Sequence, residues 1–278
     1  MSLNQETKYL IRQYDLRPDT ARGQHFLVND KVLAKIVASG NLTERDCVLE
    51  IGCGLGTLTT ELAKTSRVVG FETDRRLQEP LTKLQVVNKR IKIFFEDVLK
   101  ADPGKINDYL KLANKEHFKI IANIPYSITG SIMRWLFELS PLPELVVFLI
   151  QKEVAEKIVA QPGDHSKQSL GVQFYGQPKI IDLVSAASFW PVPEVDSAIL
   201  VIDKIHPWNY ATAEKLTWQI IRIGFSSKRK KLVNNLASGL KREKADMLQV
   251  LEQCQIDHNA RAEDLTKENW LELAGKLG

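Results

Sequence analysis

Four short stretches of the sequence end apolar runs on residues that could do chemistry. "VLEIGCGLGTLT" places Gly52, Gly54 and Gly56 directly after such a run, where the missing side chains let backbone approach a ligand closely. "VVGFETD" delivers Glu72, a carboxylate able to accept both ribose hydroxyls of a nucleoside. "IFFEDVL" delivers Asp97, able to accept a hydrogen bond from an adenine amino group. The fourth, "IIANIPYSITG", ends on Asn123 and continues through Ile124, Pro125 and Tyr126. It has a structural reading, since Pro125 stops a strand and Asn123 favours turns, and a chemical one.

Those runs need elements to hold them. In the first two-thirds of the chain, short apolar runs alternate with amphipathic segments, the pattern of parallel strands joined by crossover helices. Strands are predicted over "DCVLEIG", "RVVGFE", "KIFFED", "FKIIAN" and "ELVVFLIQ", with "QPKIIDLVSAASF" and "DSAILVIDK" as a late antiparallel pair. "LTTELAKT", "RLQEPLTKLQ", "SITGSIMRWLFEL" and "VAEKIVAQ" read as helices between them. After "DKIHPWN" the strand signals stop, and "AEKLTWQIIRIGF", "KRKKLVNNLASGL", "KADMLQVLEQC" and "KENWLELAGKL" all have helical spacing. The expected fold class is α/β, with residues 1–204 carrying the strand ends and 205–278 forming a small all-helical domain.

Glycine spacing limits the ligand. A dinucleotide fingerprint places its third glycine five residues after the first, whereas Gly56 is four after Gly52 and Thr57 takes the fifth position. The pattern is therefore a poor NAD site. A glycine loop, or one acid at a strand end, is commonly no more than a turn or a cap. Three successive strands ending Gly-rich, Glu72 and Asp97 are much harder to reach by accident. That order is similar to the Rossmann-like sheet of class I S-adenosylmethionine-dependent methyltransferases.

The resemblance implies that the fourth strand brings Asn123 beside the cofactor's sulfonium. "NIPY" resembles the signature of methyltransferases that act on exocyclic amino groups of bases. An adenine amino nitrogen is a poor nucleophile because its lone pair is delocalised into the ring. The Asn123 side-chain oxygen and the Ile124 carbonyl would accept its two N–H bonds and favour a pyramidal nitrogen. Pro125 would fix the turn that aims the carbonyl, and Tyr126 would stack on the base. The methylated nitrogen sheds its proton readily, so no strong general base is required.

Bulk properties narrow the classes. At 278 residues, 44% hydrophobic and 26% charged, the chain can bury one sizeable core and a smaller one. No apolar stretch approaches the roughly 20 residues of a membrane helix, and the start has no signal-type apolar segment, so a cytoplasmic location is expected. Cys47, Cys53 and Cys254 lack CxxC spacing, and the five histidines (His25, His117, His165, His206, His258) are scattered, so no metal is expected. Charge is uneven: residues 204–278 hold 13 Lys and Arg against 9 Asp and Glu, while the preceding residues hold 25 of each. "SSKRKK" and "LKREK" concentrate the excess, which suits nucleic acid or an anionic membrane, or simply keeps a helix face solvated.

Six motifs then narrow the resemblance. "RGQHFLVN", "LEIGCGLGTLT", "NIPYSIT", "FWPVPEVDSAI", "FSSKRKKLVNNL" and "RAEDLT" follow the order and spacing of the KsgA-type ribosomal RNA adenine dimethyltransferases, from about Thr20 to the C-terminus. The resemblance implies a cofactor site of Gln24, His25, Leu27, Gly52, Gly54, Glu72, Asp97 and Asn123. It implies catalysis by Asn123, Ile124, Pro125 and Tyr126, with Phe189 as a second aromatic wall sandwiching a flipped adenine. It also implies S-adenosyl-L-methionine as cofactor and the small ribosomal subunit or its precursor as partner. Lys228, Arg229, Lys230, Lys231, Lys241 and Arg242 would contact the RNA, and no obligate protein partner is evident. Family members commonly have "GQNFL" and "IGPG"; here His25 replaces the asparagine and Cys53 the proline, and "HSKQSLGVQF" lacks the usual arginine.

Two other functions share these features. An Erm-type enzyme resembles the same fold and modifies large-subunit rRNA, but "RAEDL" and the helical tail favour the KsgA type. An RNA-binding assembly factor without turnover would also fit the fold, and intact Asn123, Pro125 and Tyr126 argue against it.

Overall fold

The computed structural model describes residues 2–20, 23–101, 106, 108, 110 and 118–278. Arg22, which opens the RGQHFLVN motif, and His117 lie outside the described residues. The chain divides into two compact units, Met1–Ala155 with Gln177–Ile205, and Glu156–Gly176 with His206–Gly278.

In chain order the strands of the first unit are β1 (Phe26–Leu27), β2 (Cys47–Ile51), β3 (Arg67–Phe71), β4 (Ile91–Phe94) and β5 (Lys119–Asn123). They continue with β6 (Leu145–Gln151), β7 (Gln177–Val184), β8 (Phe189–Trp190) and β9 (Ser197–Asp203). Seven form one sheet in the order β4-β3-β2-β5-β6-β9-β7, while β1 and β8 pair separately. β2 through β6 run parallel to one another, and β9 lies antiparallel between β6 and β7. All five residues of β2 are buried, as a strand covered on both faces requires. The strand order reverses between β2 and β5, the point at which open α/β sheets form a ligand crevice outside their carboxyl ends. Val48 sits opposite Lys119 and Leu49 opposite Ile120, so the glycine loop and Asn123 emerge side by side.

The predicted strands all form, with one correction. "QPKIIDLVSAASF" is not a single strand: β7 ends at Val184, a 3-10 turn covers Ala186–Ser188, and β8 leaves the sheet to pair with β1. Ser185 Oγ accepts the Ala187 N–H and Asp196 Oδ1 accepts the Ala186 N–H, which turns the chain out of the ladder. Two helices precede the first predicted strand. Leu3–Gln13 starts with a capping box at Ser2 and buries Leu3, Thr7 and Ile11 at helical spacing; Asp30–Ser39 is capped by the Asn29 amide.

The second unit is helical: Lys167–Gln173, Glu214–Gly224, Leu232–Leu240, Lys244–Gln253 and Lys267–Leu277. The sequence pattern predicts one boundary near residue 205, but Glu156–Gly176 also belongs to this unit. The reason is local pairing with the RAEDL motif. Gly163 and His165 donate their backbone N–H to the Glu263 carbonyl, and His165 Nδ1 bonds the Leu265 carbonyl at 2.9 Å. Trp270 anchors the core, stacked 5.7 Å from Phe225 and packed where a Cβ on Gly224 would come within 2.4 Å of its ring. Among the described residues no helix is long and apolar enough to cross a membrane.

Candidate active site

The glycine loop follows β2 with Gly52, Gly54 and Gly56 at φ of 76°, 57° and 80°. These left-handed conformations are open to glycine without steric cost. A Cβ on Gly52 would rest 3.6 Å from the Pro125 ring, an ordinary contact, so at this position the backbone conformation rather than space favours glycine. Cys53 is buried with Sγ against Gly70, where an added Cβ would lie 2.4 Å away. The Pro-to-Cys departure is thus accommodated by a glycine on the neighbouring strand.

Glu72, at the carboxyl end of β3, holds this loop. Its Oε2 accepts the Gly54 N–H at 2.9 Å, and its Oε1 accepts those of Thr73 and Asp74 at 2.7 and 2.8 Å. Burial pushes its pKa up, and the three backbone donors pull it back. An ionised carboxylate offers about four lone pairs, so one remains on Oε2 for a ligand hydroxyl. Asp97, after β4, accepts the Leu99 N–H through Oδ1 and keeps Oδ2 3.8 Å from Lys100 Nζ. It is both a turn cap and a wall of the cavity.

Asp74 organises this edge, though the sequence analysis does not single it out. Arg76 grips its carboxylate through Nε and Nη2, and with Gln24 Nε2, 2.7 Å away, holds its pKa down at about 2. Gln24 in turn accepts the Asp19 N–H on Oε1. Its amide therefore ties the segment before β1 to the β3 edge. The signal was present as a second acid two residues after Glu72, but nothing in the spacing distinguishes it from a turn residue.

The NIPY stretch leaves β5 at the sheet's switch point. Asn123 Nδ2 donates to the His25 carbonyl at 3.3 Å. A carbonyl only accepts, so this bond fixes which way the amide points and reserves Oδ1 as an acceptor. The Ile124 N–H bonds the Leu149 carbonyl of β6, anchoring the turn from the other side. Pro125, at φ −55°, begins a 3-10 turn over Tyr126–Ile128. Tyr126 is held by its hydroxyl, 2.8 Å from the buried Ser197 Oγ, and burial raises its pKa. Gly23, at φ 72°, lies so close that a Cβ would stand 3.3 Å from the Tyr126 nitrogen.

One cavity collects Gln24, His25, Gly52, Gly54, Glu72, Asp97, Asn123, Ile124, Pro125, Tyr126 and Phe189. Leu27 lines a smaller neighbouring cavity that shares Gly52, Gly54 and Asn123. Phe189 is 2% exposed and reaches the site because β8 pairs with β1, Leu27 opposite Phe189 and Phe26 opposite Trp190. The smaller cavity also exposes a residue absent from the sequence analysis. Glu50, mid-strand in β2, is wholly buried, its Oε2 without a hydrogen-bond partner. Burial raises its pKa to about 8.

Lys228–Lys231 belong to the second unit and are exposed. The spacing of "KRKKLVNNLASGL" predicts a helix through them, yet the helix starts at Leu232. Asn235 Nδ2 donates to the Gly224 and Ser227 carbonyls at 2.6 and 3.0 Å, which pins the preceding segment as a turn. Lys241, at φ 55°, and Arg242 follow the other end of the same helix and are exposed.

Comparison with known proteins agrees with this geometry. The chain is 38% identical over 271 residues to a ribosomal RNA small subunit methyltransferase A of Dehalococcoides mccartyi, covering 97% of this chain and 91% of that one. Among solved structures it resembles a dimethyladenosine transferase from Plasmodium falciparum, with a TM-score of 0.75 and 26% identity over 90% of this chain and 96% of that one. It also resembles the 23S rRNA methyltransferase ErmE, with a TM-score of 0.70 and 27% identity over 91% and 99% of the two chains. The family described as ribosomal RNA adenine dimethylase matches residues 17–277, and with a class I methyltransferase sheet beneath that match, the chain belongs to this family.

Proposed function

We propose that the protein dimethylates the N6 amino groups of two adjacent adenines near the 3′ end of small-subunit rRNA, acting on the small subunit or its precursor in the cytoplasm. The observation that carries this reading is the amide of Asn123. Its nitrogen is committed to the His25 carbonyl, so Oδ1 is the atom left to accept one N–H of an adenine amino group. The Ile124 carbonyl accepts the other. Two acceptors on one amino group localise the nitrogen lone pair, and they are rigidly placed before the reaction begins. Tyr126 and Phe189 form the two faces of the adenine site.

The residues fit S-adenosylmethionine. Glu72 retains a lone pair for a ribose hydroxyl, Asp97 meets an adenine amino group, and the bare glycine backbone allows close approach of the cofactor. When bound, S-adenosylmethionine supplies an electrophilic methyl group. The exposed Lys228, Arg229, Lys230 and Lys231 turn, with Lys241 and Arg242, contacts RNA phosphates, which makes the helical unit an RNA-binding domain. Residues around the glycine loop make the first unit the catalytic domain.

The test is methyl transfer to unmodified small subunits, read by mass spectrometry of the digested RNA. The expected product is N6,N6-dimethyladenosine at two adjacent positions. Transfer confined to large-subunit RNA would replace this reading with the Erm-type one, and no transfer at all would leave a binding protein. Asn123→Ala is expected to lower kcat by roughly 100- to 1,000-fold, as loss of a preorganised transition-state contact does, with cofactor affinity changed by less than about threefold.

A further inference from the structure

We infer that His25 is a positioning residue for methyl transfer, a clasp that joins the two aromatic walls of the adenine site. This rests on the reading of that cavity given above.

Three separate pieces of the site meet at this one residue. The backbone carbonyl of His25 accepts the Asn123 Nδ2–H at 3.3 Å and so orients the amide. Its imidazole lies against Tyr126, ring centroids 5.7 Å apart and planes 25° from parallel. Its Nδ1 stands 2.7 Å from the Pro191 carbonyl, in the loop that carries Phe189. Because a carbonyl only accepts, Nδ1 carries the proton. The ring thereby links the Tyr126 turn to the Phe189 loop.

Neighbouring bonds tie the same pieces together. The Val28 N–H donates to the Ser188 carbonyl at 2.8 Å, Asn29 Nδ2 donates to Ser188 Oγ at 3.1 Å, and β1 pairs with β8. The segment from His25 to Asn29 is therefore zipped to the segment from Ser188 to Pro191. On the other side, Tyr126 is fixed at its hydroxyl by Ser197, which leaves rotation of its ring plane as the remaining freedom. His25 is the side chain that bears on that plane. An asparagine at this position would keep a hydrogen-bond donor but would have no ring to lay against the tyrosine. The clasp therefore needs both the donor and the ring that His25 supplies.

Alignment of the base matters more for the second methyl than for the first. After the first transfer the nitrogen has lost one of the N–H bonds that Asn123 and Ile124 accept, so the stacked walls bear more of the orientation. Loosening the clasp is expected to slow chemistry and to release monomethylated product. A simple loss of folded enzyme would lower the rate without changing the product ratio.

The experiment uses the full-length protein and unmodified small subunits, with His25→Ala, His25→Asn and His25→Phe. His25→Ala is expected to lower kcat by roughly ten- to one-hundred-fold, the cost of small misplacement at a reacting centre. Because the resemblance also puts His25 in the cofactor site, its cofactor Kd is measured by calorimetry alongside, and at saturating cofactor the ratio of N6-monomethyl- to N6,N6-dimethyladenosine at equal total transfer should rise. His25→Phe, a ring without the donor, and His25→Asn, a donor without the ring, should each recover part of the loss. Circular dichroism and thermal melts of all three variants establish that each is folded before its product ratio is read. An unchanged kcat and product ratio in His25→Ala overturns the inference alone, as does a loss of cofactor affinity with an unchanged ratio. Absence of transfer by the unsubstituted protein overturns the adenine-site reading and the inference with it.

Discussion

Glu50 sits inside β2, immediately before Ile51 and the glycine loop, and carries its proton at neutral pH because burial raises its pKa from 4.5 to about 8. The folded state therefore binds a proton that the unfolded chain has already released, so stability falls as pH rises from about 5 through 8. Below 4.5 both states are protonated and the contribution is fully present. The expected slope is roughly 1 kcal/mol per pH unit for one such group. Glu50→Gln should flatten it, and denaturant titrations between pH 5 and 9 check this; parallel slopes in both proteins would assign the dependence elsewhere. The strand-end residues were legible in the sequence because each follows an apolar run at the same place, and Gly52, Glu72, Asp97 and Asn123 do reach one cavity. Glu50 and Asp74 were not. A lone acid in "VLEIG" gives no sign of what surrounds it; Arg76 stands two residues from Asp74 with nothing in the spacing to announce the pairing, and Gln24 reaches Asp74 only when 50 residues of chain have folded between them.

Elements were legible where apolar residues cluster at strand or helix spacing, and less so where a cap or a turn decides. The helix Asp30–Ser39 depends on Asn29, and β8 depends on two residues finding β1 across the sequence. The basic helix shows the same effect, since Asn235 rather than periodicity sets where it starts. Its far end supports a separate prediction. Lys241 adopts φ 55°, a conformation costing a non-glycine residue about 1 kcal/mol. Lys241→Gly should raise thermal stability by about that amount while lowering the slope of log subunit affinity against log salt by roughly one. Thermal melts and binding at several salt concentrations read the two effects independently. A raised melting temperature with an unchanged slope would remove Lys241 from the phosphate contacts.

The chain enters the helical unit at Glu156, leaves it at Gly176 and returns at His206. Residues 156–176 bury Ile158, Leu170, Val172 and Phe174 and draw backbone and side-chain bonds from Glu263, Leu265 and Lys267. A protein truncated after Ile205 keeps this segment but loses those partners. It should bind a hydrophobic dye and aggregate, whereas the full chain does not; a soluble, dye-silent fragment would show that the segment needs no helical partner. The same arrangement sets a clock during synthesis. Trp208, Tyr210 and Trp218, whose rings pack on Phe174, emerge about 30 to 40 residues after Gly176 and Lys267 about ninety, so at about 5–20 residues per second the segment waits on the order of 2 to 8 seconds for its first cover and up to about 20 seconds for its last bonds. Until those rings arrive the nascent chain presents Phe174 without its aromatic cover, and shielding it falls to whatever holds new chains at the exit of the machine that makes them.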